Sequence, residues 1–178
     1  VIGRDAADEL FSWVAITLAR RGQPHPNPHV GALVVEGGQL VGVGHHERAG
    51  LPHAEIVALR HAGARARGAT LYVTLEPCNH YGRTPPCVDQ IVRAGIVRVV
   101  ALCPDPNPHV QGGGLRALRE RGLEVAWGPG RADVEAMLSP WFAGLLLGKV
   151  ADGQPIQGRP VPDVAKDGGA EGVGLEGH

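Results

Sequence analysis

Apolar and polar positions along this chain recur with two periods, and the switches between them mark out its elements. In residues 5–21 apolar side chains fall at Leu10, Val14 and Leu18, with Phe11 and Ala15 beside them. That is helical spacing, and Gly22 ends it. The stretch 23–28, QPHPNP, is a rigid loop, because proline fixes the backbone and cannot continue a helix. Residues 30–35 read as a buried strand, Glu36-Gly37-Gly38-Gln39 as a hairpin turn, and 40–44 as the returning strand. A helix over 52–63 carries His53 and Glu55 in its first turn. Branched and aromatic residues predict a strand over 70–75, whose C-terminal end delivers Glu76-Pro77-Cys78. Pro85-Pro86 open a helix over 87–94, with Gly95 as its stop. A strand over 97–102 follows, then a Gly112-Gly113-Gly114 loop leading into a helix over 115–121, a short strand over 123–127 and a helix over 132–147.

A helix and a hairpin followed by helix and strand in alternation predict an α/β fold, a three-layer α/β/α sandwich with a mixed central sheet. The reactive residues then fall at strand ends and helix N-termini, where open α/β sheets place ligands. Residues 1–148 read as one domain, a length that supports a single core. Over 149–178 Gly, Pro, Asp and Glu dominate and apolar periodicity fades, so this segment reads as a disordered tail.

Composition works mainly by exclusion. Hydrophobic residues make up 43% and charged residues 20%, ordinary values for a soluble globular protein. Seventeen Lys+Arg against 18 Asp+Glu leave a formal net charge of -1, without the basic excess of a broad nucleic-acid surface. The apolar run 141–147 is too short to span a bilayer, so no membrane partner is expected. The N-terminus lacks a charged-then-apolar signal pattern, and the expected location is the cytoplasm. Three cysteines are too few for a disulfide framework.

The chemistry concentrates in His53-Ala54-Glu55, Glu76-Pro77-Cys78 and Cys87. One histidine and two cysteines fill three positions of a tetrahedral zinc ion and leave the fourth for water, the arrangement of a catalytic rather than a structural site. Helix N-termini at His53 and Cys87 favour thiolate over thiol. Glu55, two residues after the histidine, can move protons without binding the metal. This is the pattern of a zinc-dependent nucleobase deaminase. A closed structural site needs a fourth ligand. Cys103 is the remaining cysteine, and its place after a strand favours plain burial. The two cysteine ligands stand nine positions apart, farther than in the general Pro-Cys-x-x-Cys signature, so the lengthened loop should help to form the pocket.

At that loop the chain resembles a known family. The segment EPCNHYGRTPPC is similar to the deaminase domain of the bacterial bifunctional riboflavin biosynthesis protein, a cytidine deaminase-like enzyme joined to a reductase. Further segments fit in order: Pro26-Asn27-Pro28 with Val30-Gly31, Gly44-His45-His46 ahead of Gly50, Pro52-His53-Ala54-Glu55, and Asp105-Pro106-Asn107-Pro108. The likeness spans residues 8–142. It implies zinc-dependent hydrolytic deamination of 2,5-diamino-6-(5-phosphoribosylamino)pyrimidin-4(3H)-one to the corresponding 5-aminouracil and ammonia. It also implies one Zn2+ per chain on His53, Cys78 and Cys87, with Glu55 as the proton shuttle. Substrate contacts carry over to Asn27, His46, His80, Arg83, Thr84 and Asp105.

The residues themselves leave alternatives open. Asn27, between two prolines, can read a ring edge or simply form a turn. His45 competes with His46, and only the register of the resemblance prefers the latter. Arg83 suits a phosphate through paired N–H bonds, with a solvated loop arginine as the alternative and Arg48 as a weaker candidate. Asp105 can cap a turn or touch substrate.

The resemblance stops short of the reductase. Residues 148–178 do not look like its opening, and no Gly-rich dinucleotide loop sits between a strand and a helix. The expected chain is therefore a deaminase with a small-molecule phosphoribosylaminopyrimidine substrate and a reductase on a separate polypeptide. Related deaminases associate through helices, so a homo-oligomer is expected by analogy alone. Deaminases of cytidine, deoxycytidylate or tRNA adenosine, and a non-catalytic zinc module, are the competing readings. The GRTPPC loop argues against the other deaminases and Glu55 against the module.

Overall fold

The computed structural model describes residues 3–81, 85–106 and 113–146. In chain order it forms α1 (Arg4–Ala19), β1 (Gly31–Glu36), β2 (Gln39–His45), α2 (Ala54–Ala62) and a 3-10 turn (Gly63–Ala66). There follow β3 (Thr70–Leu75), α3 (Cys87–Arg93), β4 (Arg98–Cys103), α4 (Gly113–Glu120), β5 (Glu124–Trp127) and α5 (Arg131–Leu146). One sheet holds the strands in the order β2-β1-β3-β4-β5. β1 pairs antiparallel with both β2 and β3, while β3, β4 and β5 run parallel. This is the mixed sheet expected from the element pattern.

Strand geometry sends successive side chains to opposite faces, and both faces here are covered. Leu33, Val35, Tyr72 and Val100 gather with Phe11, Ala15 and Leu18 of α1. Ala32, Val34, Leu71, Val73, Val99 and Ala101 face the side that also holds Ala58, Ala62, Val88, Ile91 and Leu118 of α2, α3 and α4. The parallel β3-α3-β4 and β4-α4-β5 crossovers place their helices on that side. The approach to α5 lies on the α1 side, where Gly130 abuts Ile16 and Leu102. The layers are thus helix, sheet, helix.

The face that α1 buries includes the expected Phe11, Ala15 and Leu18, with Val14 packed beside them, but not Leu10. Leu10 is 47% exposed, whereas Phe11, Ser12, Ala15, Ile16, Leu18 and Ala19 are buried. Small residues at 15 and 19 let α1 lie directly on β1, where a Cβ at Gly31 would stand 2.1 Å from the Ala15 carbonyl oxygen. The helix is therefore rotated toward its small side chains. Gly37 and Gly38, both at positive φ, make the two-residue turn between β1 and β2 that matches strand twist.

α2 rests on β2 by backbone contact. A Cβ at Gly42 would meet the Ala58 carbonyl oxygen at 2.3 Å, and one at Gly44 the Ala54 carbonyl oxygen at 2.3 Å. Ala54, Ala58 and Ala62 line the helix side of this seam, and all three are buried. Two glycines on every second strand residue and three alanines at helical spacing thus fix the height of α2 above the sheet.

The opposite end of the sheet is tied by charge. Arg98, at the start of β4, donates two bonds of 2.7 Å to the Asp8 carboxylate of α1, and Tyr72 donates a third of 2.7 Å. Arg98 also reaches Glu124 at 3.1 Å, which Arg4 holds at 2.8 Å. The bond from Arg98 holds the Asp8 carboxyl below its ordinary value of 3.8, against the opposing effect of burial.

In α5, Trp141 and Phe142 are partly buried against the main core with ring centroids 5.4 Å apart, while Leu146 is 89% exposed. The apolar run therefore docks on the domain body at its start. Residues 147–178, including the proposed tail, lie outside the described residues. No helix among the described residues is long and apolar enough to cross a membrane.

Two substitutions separate the two ends of the sheet. Gly44→Val should destabilise the domain by about 1–3 kcal/mol through overpacking and weaken metal affinity, because it displaces the helix that starts at His53. Asp8→Asn should cost about 2 kcal/mol at pH 7 without changing metal affinity. The folded Asp8 pKa is depressed, so its contribution is present above 3.8 and lost as the pH falls through the lower folded value. Urea unfolding of both proteins at neutral and acid pH, with metal titration, checks these outcomes.

Candidate metal centre and active site

Three chain segments meet at the C-terminal edge of β3 and β4, the edge where parallel sheets present ligands. His53 is the N-cap of α2, Cys78 follows β3 by a short loop, and Cys87 is the first residue of α3. Proline supplies the local reasons. Pro52 keeps the chain extended into His53, Pro77 turns it out of β3, and Pro86 occupies the position before α3. Strand pairing continues past β3, with the Glu76 N–H donating to the Cys103 carbonyl at 2.9 Å.

The ligand atoms converge. His53 Nδ1 stands 3.2 Å from Cys87 Sγ and 3.7 Å from Cys78 Sγ, and the set lies within 4.8 Å. A tetrahedral zinc with ordinary Zn–N and Zn–S bonds places such ligand atoms about 3.6 Å apart. The donor set therefore fits zinc through Nδ1 and two sulfurs. The Cys87 backbone N–H donates to Cys78 Sγ at 3.3 Å, so the α3 N-terminus supports a thiolate there. Cys103 does not join the set. It is buried, its thiol donates to the Pro104 carbonyl at 3.4 Å, and burial pushes it up to about 11.

The electrostatics of the protein groups favour a cation. The hydrogen bond from Cys87 is the largest influence on Cys78, and with the help of His53 it brings that thiol down to about 4 against burial. Burial works to lower His53, but the Cys78 hydrogen bond and the charges of Glu55, Cys78 and Asp105 raise it to about 9. A divalent metal takes the place of the protons these groups compete for. Glu55, in the first turn of α2, is 4% exposed. Burial pushes its carboxyl above the ordinary 4.5, with His53 opposing and Cys78 adding to the rise. Desolvation is thus the dominant cause, and it gives the carboxylate a stronger hold on a proton.

The other expected residues divide into those brought to the centre and those outside the described residues. His46 is buried with its ring edge-on to His53 at a centroid distance of 5.6 Å. His45 ends β2 in register with Gly31. His46 Nε2 lies 3.0 Å from the Asn27 carboxamide nitrogen, and its Nδ1 lies 3.1 Å from the Pro52 carbonyl oxygen. Asp105 follows β4, is 8% exposed and acts on His53 electrostatically. His80 is half-buried, and its buried Nδ1 has no hydrogen-bond partner among the described residues. Arg83 and Thr84 lie outside the described residues. Arg48 is exposed.

Glu76 stands out in the sequence as part of EPC, and the fold gives it a role that the motif does not show. Its carboxylate accepts the Leu115 backbone N–H of α4 at 3.0 Å, and it is 3% exposed. Gly114 packs so tightly there that a Cβ would lie 2.0 Å from the Pro77 carbonyl oxygen. Gly113 and Gly114, expected in a plain loop, instead open the first turn of α4, and Gly114 fits it closely against the segment that carries Cys78, while Gly112 lies outside the described residues. A Glu followed far along the chain by a glycine-led helix is a pairing that only the fold reveals.

The sequence profile described as cytidine and deoxycytidylate deaminase zinc-binding region matches residues 5–103. The chain belongs to this family of zinc-binding deaminases. Within it, the chain is 58% identical over 120 residues to the riboflavin biosynthesis protein RibD of Aquifex aeolicus, covering 66% of this chain and 34% of that protein. It is 46% identical over 123 residues to the diaminohydroxyphosphoribosylamino-pyrimidine deaminase of Buchnera aphidicola, covering 68% of this chain and 84% of that protein. Among solved structures it is similar to Acinetobacter baumannii RibD, with a TM-score of 0.78 and 45% identity over 82% of this chain and 42% of that one. The chain spans 34% and 36% of the length of the Aquifex aeolicus and Escherichia coli RibD proteins.

Removing either sulfur ligand should abolish stoichiometric zinc. Cys78→Ala and Cys87→Ala are expected to retain little metal by elemental analysis. Chelation should lower the melting temperature of the unmodified protein but not theirs, a difference of about 4 kcal/mol when free metal stands a thousandfold above its Kd.

Proposed function

We propose that this chain hydrolytically deaminates 2,5-diamino-6-(5-phosphoribosylamino)pyrimidin-4(3H)-one to 5-amino-6-(5-phosphoribosylamino)uracil and ammonia. The observation that carries this reading is the buried Glu55 beside the converged His53, Cys78 and Cys87. The lengthened EPCNHYGRTPPC loop, and the 46% identity to a relative named for this deamination, support the choice of base.

His53, Cys78 and Cys87 would hold a zinc ion, which would supply the Lewis acidity that activates a water at neutral pH. The Glu55 carboxylate accepts a proton from the attacking water and delivers it to the ring nitrogen beside the amino-bearing carbon. It then moves the second proton to the departing amine, which leaves as ammonia. Oxygen replaces nitrogen on the ring carbon and no oxidant is needed. A buried carboxyl with raised proton affinity suits both halves of this transfer, because a shuttle works best when its pKa approaches the working pH.

The substrate is held by groups around this centre. Asn27 reads the ring or ribose edge, and the Nδ1 of His80, unpartnered among the described residues, takes another polar group of the substrate. Asp105 closes the site beside His53. Arg83 and Thr84 bind the phosphate from the lengthened loop, where a guanidinium matches paired phosphate oxygens.

Ammonia release by the purified, zinc-loaded chain from the diaminopyrimidine tests the proposal, with cytidine and deoxycytidylate as parallel substrates. Turnover of the diaminopyrimidine alone is expected, and turnover of a different base alone would overturn the assignment. Glu55→Ala should keep one zinc and lose about 10²–10⁴-fold in kcat. Arg83→Ala should raise KM with little change in kcat, the signature of lost ground-state binding.

A further inference from the structure

We propose that His46 is a positioning residue that acts on the substrate only through Asn27, whose carboxamide it orients so that the oxygen is the recognising atom. The inference rests on the proposed function for its substrate, but its geometric basis does not. His46 is 3% exposed, and both ring nitrogens already have protein partners. The Pro52 carbonyl can only accept, so Nδ1 carries the ring hydrogen. In a neutral ring Nε2 is then an acceptor, and the Asn27 nitrogen 3.0 Å away is its donor. No ring nitrogen is left for a ligand.

Asn27 is fixed from its backbone as well. Its N–H donates to the Pro24 carbonyl at 2.8 Å, and Pro26 and Pro28 flank it. What remains free is rotation of the carboxamide, and the His46 bond removes it. Among the described residues Asn27 Oδ1 takes no hydrogen bond, so the group it presents is an acceptor. The matching feature of the substrate is a donor, an N–H of the amino-substituted ring or an O–H of the ribose. A side chain locked in this way binds with less loss of conformational entropy than a free one. Pro52 immediately precedes the ligand His53, so the same imidazole joins the recognition loop to the backbone that carries the metal.

A double-mutant cycle tests this in the zinc-loaded full chain. His46→Phe keeps ring volume and removes both nitrogens. It should raise KM about tenfold, the value of one lost hydrogen bond, and leave kcat and zinc stoichiometry within about twofold. In an Asn27→Ala background the same change should leave KM within about twofold. His46→Gln, whose oxygen can accept from Asn27, should restore KM toward the unmodified value. Equal, independent effects of His46→Phe in both backgrounds would overturn the proposal, as would an unchanged KM or loss of zinc. Long-range proton–nitrogen NMR on the unmodified chain gives a reading that needs neither a folded variant nor turnover. The Nδ1–H tautomer of His46 is expected, and the Nε2–H tautomer would overturn the assignment. Failure of the unmodified chain to deaminate the diaminopyrimidine would sink the proposed function and leave the tautomer result standing.

Discussion

The direct backbone contact between α2 and β2 is the constraint on which the rest of the site depends. Gly42 and Gly44 leave no side chain between strand and helix, and Ala54, Ala58 and Ala62 supply only methyl groups from the other side. The helix therefore has one height and one azimuth. His53 at its N-cap and Glu55 in its first turn are delivered together, the imidazole toward the two sulfurs and the carboxyl into a buried position. Larger residues in the seam would lift the helix, and the ligand set would lose the spacing a tetrahedral metal demands.

A second lock works from the other side of the centre. Glu76 and Pro77 leave β3 against the first turn of α4, with the Glu76 carboxylate on the Leu115 N–H and Gly114 beneath the Pro77 carbonyl. Cys78 is thus held between a strand end and two helix N-termini, those of α3 and α4. Helix N-termini carry unpaired N–H groups and a positive dipole end, which suits a thiolate on one and a buried carboxylate on the other. The metal centre is built where these orphan donors are needed, so the same groups that finish the helices also set the charge of the site.

Around the candidate metal centre the polar groups fall into two kinds. Cys78, Cys87, His53 and Glu55 are shifted by one another and by burial, as expected where several titratable groups share one small buried volume. His46 and Asn27 are instead fixed by hydrogen bonds to backbone and to each other, a rigid frame beside a reactive cluster. The Arg98–Asp8–Tyr72 clasp lies at the far end of the sheet and ties α1 to β3 and β4 without touching this chemistry. Stability and reactivity are thereby carried by different ends of the same strands.

Much of this was legible in one dimension. The element order, the two-glycine hairpin turn, and the histidine and cysteines that converge as a group able to hold a metal all follow from local rules: side-chain periodicity, the conformational reach of glycine and proline, and the donor chemistry of particular residue types. The exact rotation of α1 did not follow, although Phe11, Ala15 and Leu18 of its expected face are buried. Leu10 lies on the expected apolar stripe yet is exposed, because Ala15 and Ala19 allow a closer approach to Gly31 than leucine would. Nor did the roles of Glu76 and Gly114, or the pairing of His46 with Asn27, whose partners are far apart in the chain. A sequence by itself determines which residues can bend, bury or ligate. Which of them meet is decided by the tertiary structure, because close packing selects among faces and partners that periodicity leaves equivalent.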